Sequence, residues 1–300
     1  MVRSTETGHL RTTTRRADSA PGFVLHRAAG PLRQHELQLP AELAARVAGL
    51  PVDGLVWSPG RPAGDGLEHA VPGEASVATL VLAGMPLPAV ARMVAPVGAA
   101  LAAVHALPAT SGAAPSGLRR LEAWLHTGQG PGDAARLHAL LADVPGLTAR
   151  LRDWVDDLRT APARLALGAP GMNTLYPDPA GDRTAVLVTD ELADAAPEWD
   201  LGWLLGELLE LANDPHRTAA PVPLEGHPVA EVVLAGHRGA DRQGPGAALD
   251  RGRLSRAAVL RWVVHLHDYV AYVDWAEDLP ARLQRVGLLA ADPDRLLARW

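Results

Sequence analysis

From residue 86 onward, apolar residues fall three and four positions apart: Val90, Met93, Val94, Val97, Leu101 and Val104, with His105 near the end and Leu107-Pro108 closing the run. That period predicts a helix with one face in a core, stopped where proline removes a backbone donor. Looser stripes of the same period predict helices over 118–125, 133–158, 199–212, 229–235, 254–275 and 279–289, with a last turn near Trp300. Short apolar runs at 174–176 and 185–189 flank Pro177-Asp-Pro-Ala-Gly-Asp182, which has turn composition, so this stretch reads as a β-hairpin among helices. Ahead of the helical region the pattern is mixed. Strand-like pieces at 23–26, 36–39 and 54–57 surround a helix-like run over 40–50. Residues 60–66 have turn composition and 67–73 read as a short strand leaving them, which predicts a hinge there. Residues 1–21 show no apolar period and are expected to be a disordered arm. No internal repeat is visible.

The domain organisation this predicts is an N-terminal arm over 1–21, a small β-containing lobe with the hinge over 22–74, and a helical lobe over 75–300 carrying the hairpin. A chain of 300 residues with 48% hydrophobic and 21% charged residues has enough apolar surface to fold without staples. There is no cysteine, which excludes disulfides, thiolate nucleophiles and Cys-ligated metal centres, and fits a reducing cytoplasm, the expected location. The most hydrophobic stretch, 75–107, is interrupted by prolines and glycines, so no membrane span is expected. Arg3, Arg11, Arg15 and Arg16 near the N-terminus precede no apolar segment, unlike a secretory signal. A formal net charge of −6 without a sustained basic block argues against nucleic acid as a partner. Lysine and isoleucine are absent, and asparagine occurs only at Asn173 and Asn213.

The chemistry concentrates in Asn173-Thr-Leu-Tyr, Ala185-Val-Leu-Val-Thr-Asp190 and Glu198-Trp-Asp200-Leu-Gly. Taken with a small lobe, the hinge at 67–73, and Val97-Gly-Ala-Ala-Leu-Ala-Ala-Val-His105-Ala-Leu-Pro108, these segments resemble the aminoglycoside phosphotransferase family. The resemblance runs from about residue 67 to 275 and is poor before it. It implies an α+β, protein-kinase-like two-lobe fold with a reduced β-containing N-lobe and a mainly helical C-lobe. It also implies that Asn173 and Asp190 are a magnesium-ligand pair for ATP, and that Asp200 braces the catalytic loop from below. On their own terms, Asn173 reads equally as a hairpin-starting residue and Asp190 as a helix cap.

Three departures from the family pattern bear on activity. Where the family has His-Gly-Asp, with the aspartate handling the acceptor's proton, this chain reads Leu165-Ala-Leu-Gly-Ala-Pro-Gly-Met-Asn173. The aspartate position falls on Gly168 without a gap and on Ala169 with one deletion, and the histidine position on Ala166 or Leu167. The phosphate-binding lysine is missing, with Arg27 one candidate substitute, although a planar fork differs from an ammonium. Gly30-Pro-Leu-Arg-Gln stands in place of a glycine-rich phosphate loop.

Other candidate sites are weaker. His265-Leu-His267-Asp268 lies on a predicted helix, where positions i and i+2 point about 200° apart and cannot clamp one ion. Ser58 and Ser76 lack a nucleophile-elbow context. Trp154, Trp199, Trp203, Trp262 and Trp275 are expected in the large-lobe core. Glu198, Glu207 and Glu210 are a candidate acidic rim for a cationic ligand, with an ordinary solvated face as the alternative. The functional expectation is a degenerate member of the family: a pseudokinase with no catalytic residue of its own, serving as a binding or scaffolding subunit for a peptide or partner protein, in a natural-product or peptide-modifying pathway. The alternatives are an ATP- and magnesium-dependent small-molecule O-phosphotransferase using Asp182 or Asp194 as base, and a structural homodimer.

Overall fold

The computed structural model describes residues 3–18, 22–33, 35–218, 220–241 and 249–298. Trp300 and Gln34 lie outside these. Residues 3–16, expected to be a disordered arm, instead form strands β1 (Arg3–Glu6) and β2 (Leu10–Arg16), which pair antiparallel with each other and then with β3 (Phe23–Ala29). The arm reading fails because both strands are polar. β1 is exposed throughout and takes its order from the ladder to β2, in the register Arg3↔Thr14, while the β-branched run Thr12-Thr-Thr14 suits a strand without leaving any apolar signature.

After β3 come α1 (Ala41–Ala48), β4 (Leu55–Pro59), β5 (Arg61–Ala63) and β6 (Gly66–Val71). The small-lobe sheet has the order β1-β2-β3-β6-β5. Residues 36–39 form no strand. The stretch 60–66 is not a hinge but most of the β5–β6 hairpin, and the chain crosses between lobes after β6. β4 leaves the small-lobe sheet altogether and pairs in parallel with a large-lobe strand, β9, in the register Trp57↔Val186. Since only Gly60 separates β4 from β5, this ladder ties the edge of the small lobe directly to the large lobe.

The large lobe comprises α2 (Val77–Leu82), α3 (Leu87–His105), α4 (Ser116–Thr127), α5 (Ala134–Ala142), α6 (Leu147–Thr160), β7 (Arg164–Ala166), a 3-10 turn Met172–Thr174, β8 (Leu175–Pro177), β9 (Thr184–Val188), β10 (Ala193–Ala195), α7 (Pro197–Ala212), α8 (Pro228–Asp241), α9 (Arg251–Tyr272), α10 (Leu279–Ala291) and a last 3-10 turn Pro293–Leu297. β8 and β9 are the predicted hairpin. α9 is buried on nearly every side, with Leu254, Ala257, Leu260, Trp262 and Val263 all in the core. Trp199 and Trp262 are fully buried and Trp154 nearly so, while Trp203 and Trp275 pack at the edge of the core, Trp275 under the guanidinium of Arg136 at 3.5 Å. α3 is the one described helix long and apolar enough to cross a membrane. Here it packs against α8 and α7, with Val90, Val94, Val97, Leu101 and Val104 buried.

Buried histidines make stability depend on pH. Burial, with lesser help from neighbouring cations, lowers His9 and His69 to about 4. Burial and His105, whose Nδ1 lies 3.3 Å from Nε2 of His237, lower His237 to about 3. Each ring is neutral in the folded chain below the pH at which it would protonate unfolded, so the unfolded state binds more protons between the folded values and 6.5. The stabilisation is complete above about pH 6.5 and is lost as pH falls toward 4 and 3. Melting temperature is therefore expected to drop steadily from pH 7 to pH 4, and His237→Gln to flatten the curve; differential scanning calorimetry across that range checks it.

Candidate active site

β7 pairs antiparallel with β10, which lays the loop after β7 beside the turn that follows β9. The loop is held from below by α7. Asp200, wholly buried, accepts hydrogen bonds from the backbone N–H of Leu167 (2.7 Å) and of Gly168 (2.9 Å), and His105 Nε2 lies 3.2 Å from the same carboxylate. Trp199 Nε1 donates to the carbonyl of Gly168 at 2.7 Å. Two turns along α7, on the same face, Glu207 accepts the N–H of Met172 at 2.5 Å and is paired with Arg261 at 2.9 Å. Two carboxylates thus fix both ends of the loop. Gly168 has φ +83°, and a Cβ on it would meet the carbonyl oxygen of Glu191 at 1.9 Å, so the loop and the turn after β9 touch backbone to backbone. Ala169, next in the chain, lines a cavity of about 220 Å³ together with Asn173, Glu191, Arg261 and Asp268.

A larger cleft of about 470 Å³ lies between the lobes. Thr12, Thr14, Leu25 and Arg27 line it from the small-lobe sheet, Asn173, Thr174 and Leu187 from the large lobe, and Asp268, Tyr269 and Tyr272 from α9. The turn between β1 and β2 closes one end. Gly8 N donates to the carbonyl of Tyr272 at 2.6 Å, and Leu32 N to the carbonyl of Gly8 at 2.7 Å. The phosphate-loop position expected at residues 30–34 is therefore taken by Thr7-Gly-His9. The 30–33 segment instead straps across and delivers Arg33.

Arg33 is the residue that most changes the picture. Its guanidinium forms an ion pair with Asp190, with both side chains nearly buried (10% and 5% exposed). His9 Nε2 accepts from the same guanidinium at 3.1 Å, and Arg33 Nε donates to the carbonyl of His35 at 3.2 Å. Burial and then Glu191 push the Asp190 carboxyl above its ordinary value, against the pull of Arg27 and Arg33. Asn173 is exposed on the 3-10 turn and its side chain makes no hydrogen bond among the described residues. Asn173 lines the interlobe cleft and the small cavity, whereas Asp190 lines a third space of about 650 Å³ with Arg119, Arg120 and Trp124. The two expected magnesium ligands thus line different cavities, and the Asp190 carboxylate that a divalent cation would need is paired with a guanidinium.

No family model and no curated protein sequence matches this chain. Solved structures do. A protein from Ralstonia eutropha assigned as an aminoglycoside phosphotransferase superposes with a TM-score of 0.55 at 12% identity, covering 98% of this chain and 92% of that one. A choline/ethanolamine kinase family protein from Mesorhizobium loti gives 0.54 at 16%, covering 99% and 89%. The ethanolamine kinase of Plasmodium vivax gives 0.55 at 11%, covering 98% and 82%. The fold is protein-kinase-like, of the aminoglycoside phosphotransferase and choline kinase type.

Asp200 holds the amides of Leu167 and Gly168, and neither Gly168 nor Ala169, the two positions on which the expected aspartate falls, carries a proton acceptor. The expected acidic rim is corrected. Glu198 is buried, accepting the N–H of Asp250 at 2.7 Å and facing Arg253 at 3.5 Å. Glu207 braces the loop. Glu210 binds Arg261 at 2.7 Å and His265 at 2.8 Å. Burial pushes Glu210 up, but His265 and Arg261 outweigh it and hold the carboxyl down at about 2. These acids turn inward because arginines on α9 neutralise them, which helical periodicity does not reveal.

Neither alternative base of the kinase-like reading reaches the cleft. Asp182 is exposed on the hairpin turn, and Asp194 accepts the N–H groups of Thr110 (2.9 Å), Ser111 (3.1 Å) and Gly112 (2.7 Å). The carboxylates that do line the cleft are Glu74, exposed after β6, and Asp268, part of the cluster noted at 265–268. Arg120 grips Asp268 at 2.8 Å and His267 Nδ1 lies 2.9 Å away. Burial opposes its charge, but Arg120 and His267 prevail and hold it far below the usual carboxylate range, making it a weak base. His265 and His267 serve separate neighbours, Glu210 and the Trp124 ring at 5.1 Å.

Proposed function

We propose that this protein is a pseudokinase: a kinase-fold binding subunit that transfers no phosphate and presents its cleft and large lobe to a peptide or partner protein. The observation that carries the reading is the loop held by Asp200 through Leu167 and Gly168: at neither Gly168 nor Ala169 does it offer a proton acceptor, a group worth about 10²–10⁴ in rate. The Arg33–Asp190 pair supports it, since the expected magnesium-ligand carboxylate is already paired with a guanidinium. Leu82 and Val273, 78% and 55% exposed, stand on the rim of the interlobe cleft, an apolar edge suited to another chain.

The neighbours named as choline or ethanolamine kinases suggest the other reading, phosphorylation of a small hydroxyl compound. It needs a base, and the acids near the loop are bound to arginine, to backbone amides or, for Glu191, to the Ser116 hydroxyl. Incubated with ATP, magnesium and hydroxyl acceptors that include choline and an aminoglycoside, the protein is expected to release no more ADP than the blank. Acceptor-dependent ADP release that disappears in Asp190→Ala would overturn the pseudokinase reading.

A further inference from the structure

Arg27 sits in the middle of β3 on the same face as Leu25, opposite Thr12 on β2, and looks into the interlobe cleft. Its Nη1 is shut off from solvent yet has no hydrogen-bond partner. A guanidinium N–H so placed carries the cost of lost hydration with nothing to offset it, unless an acceptor enters the cavity. The hydroxyl-bearing Thr12 and Thr14 line the same space, which suits a multiply charged oxyanion.

The charge balance around Asp190 determines what accompanies that anion. Arg33 is fully committed: Nη2 to Asp190, Nη1 to His9 and Nε to the carbonyl of His35. His9 is itself fixed, stacked against Tyr272 with ring centroids 4.8 Å apart. A divalent cation approaching Asp190 would have to break this pair and would meet the charges of Arg33 and Arg27. An anion is attracted by the same two groups, Arg27 in the cleft and Arg33 in the small cavity beside it, against the cleft carboxylates Glu74 and Asp268, the latter already held by Arg120.

We infer that the interlobe cleft binds a phosphate-bearing anion on Arg27 without a divalent cation, Arg33 neutralising Asp190 in the place a metal would take. The site is a metal-independent phosphate-chain receptor. This stands apart from the absence of turnover, because binding in chelator is measured separately from ADP release.

The test is calorimetric titration of the full chain with ATP, inorganic tripolyphosphate and adenosine, in EDTA and again in excess magnesium. ATP and tripolyphosphate are expected to bind in EDTA and adenosine not, with magnesium leaving affinity unchanged or lower. Arg27→Gln should weaken ATP binding roughly 10- to 100-fold, and Arg27→Lys should keep most of it. Asp190→Asn is the deciding variant. Without the carboxylate, Arg33 is released toward the anion, so binding in EDTA should persist or tighten. Melting curves of each variant confirm that it is folded. Binding that appears only with magnesium, loss of binding in Asp190→Asn with the fold intact, unchanged binding in folded Arg27→Gln, or adenosine binding as tightly as ATP would each overturn the inference.

Discussion

Replacing Asp200 by alanine is expected to destabilise the fold by about 3–5 kcal/mol, because it leaves buried hydrogen-bonding groups without their charged partner. The carboxylate is wholly buried, takes the N–H groups of Leu167 and Gly168 and faces His105 Nε2. For a chain of this size the loss corresponds to a fall in melting temperature of roughly 6–15 °C. Asp200→Asn keeps the volume but offers one acceptor and an N–H₂ in place of two acceptors, so it should recover only part of the loss. Thermal or urea unfolding of both variants checks the prediction. A change below about 1 kcal/mol in Asp200→Ala would mean the brace does not hold the loop.

Gly168→Ala should cost as much for a different reason. At φ +83° an L-residue is strained by about 1–2 kcal/mol, and here the added Cβ also lands 1.9 Å from the carbonyl oxygen of Glu191, a backbone atom that cannot turn away. The total is expected to reach about 3 kcal/mol or more. Gly146→Ala isolates the two terms, since Gly146 has φ +71° but nothing within 4 Å of its Cβ position; it should lose only about 1 kcal/mol. Equal losses in the two variants would show that the loop and the turn after β9 separate easily. That would weaken the case that the loop is rigidly held.

Much of the large lobe was legible in the sequence because its helices carry a long apolar period. The stripe from Val90 to Val104 is buried as predicted, and the hairpin announced by Pro177-Asp-Pro-Ala-Gly-Asp182 is β8 and β9. The small lobe was not legible. β1 and β2 bury little, so they lack the alternation that marks a strand, and β4 looked like a member of the small-lobe sheet although it pairs with β9. Residue 173 was singled out for its rarity, and the missing acid at 168 or 169 was visible directly. The acids of α7 were misjudged because a Glu on a helix looks solvated until the arginine opposite it is known, as Arg261 is for Glu207 and Glu210.

The residues themselves determined that this chain has a helical core carrying a hairpin and that its loop carries no proton acceptor, because apolar period and residue identity are local properties of a sequence. Only the tertiary structure decided that Asp190 belongs to Arg33, that Arg27 lines the interlobe cleft with its buried Nη1 unpartnered and that Asp268 is held by Arg120. Those pairings join positions far apart in the chain, through ion pairs and burial that leave no periodic trace, and they set whether a carboxylate is offered to a cation or already spoken for.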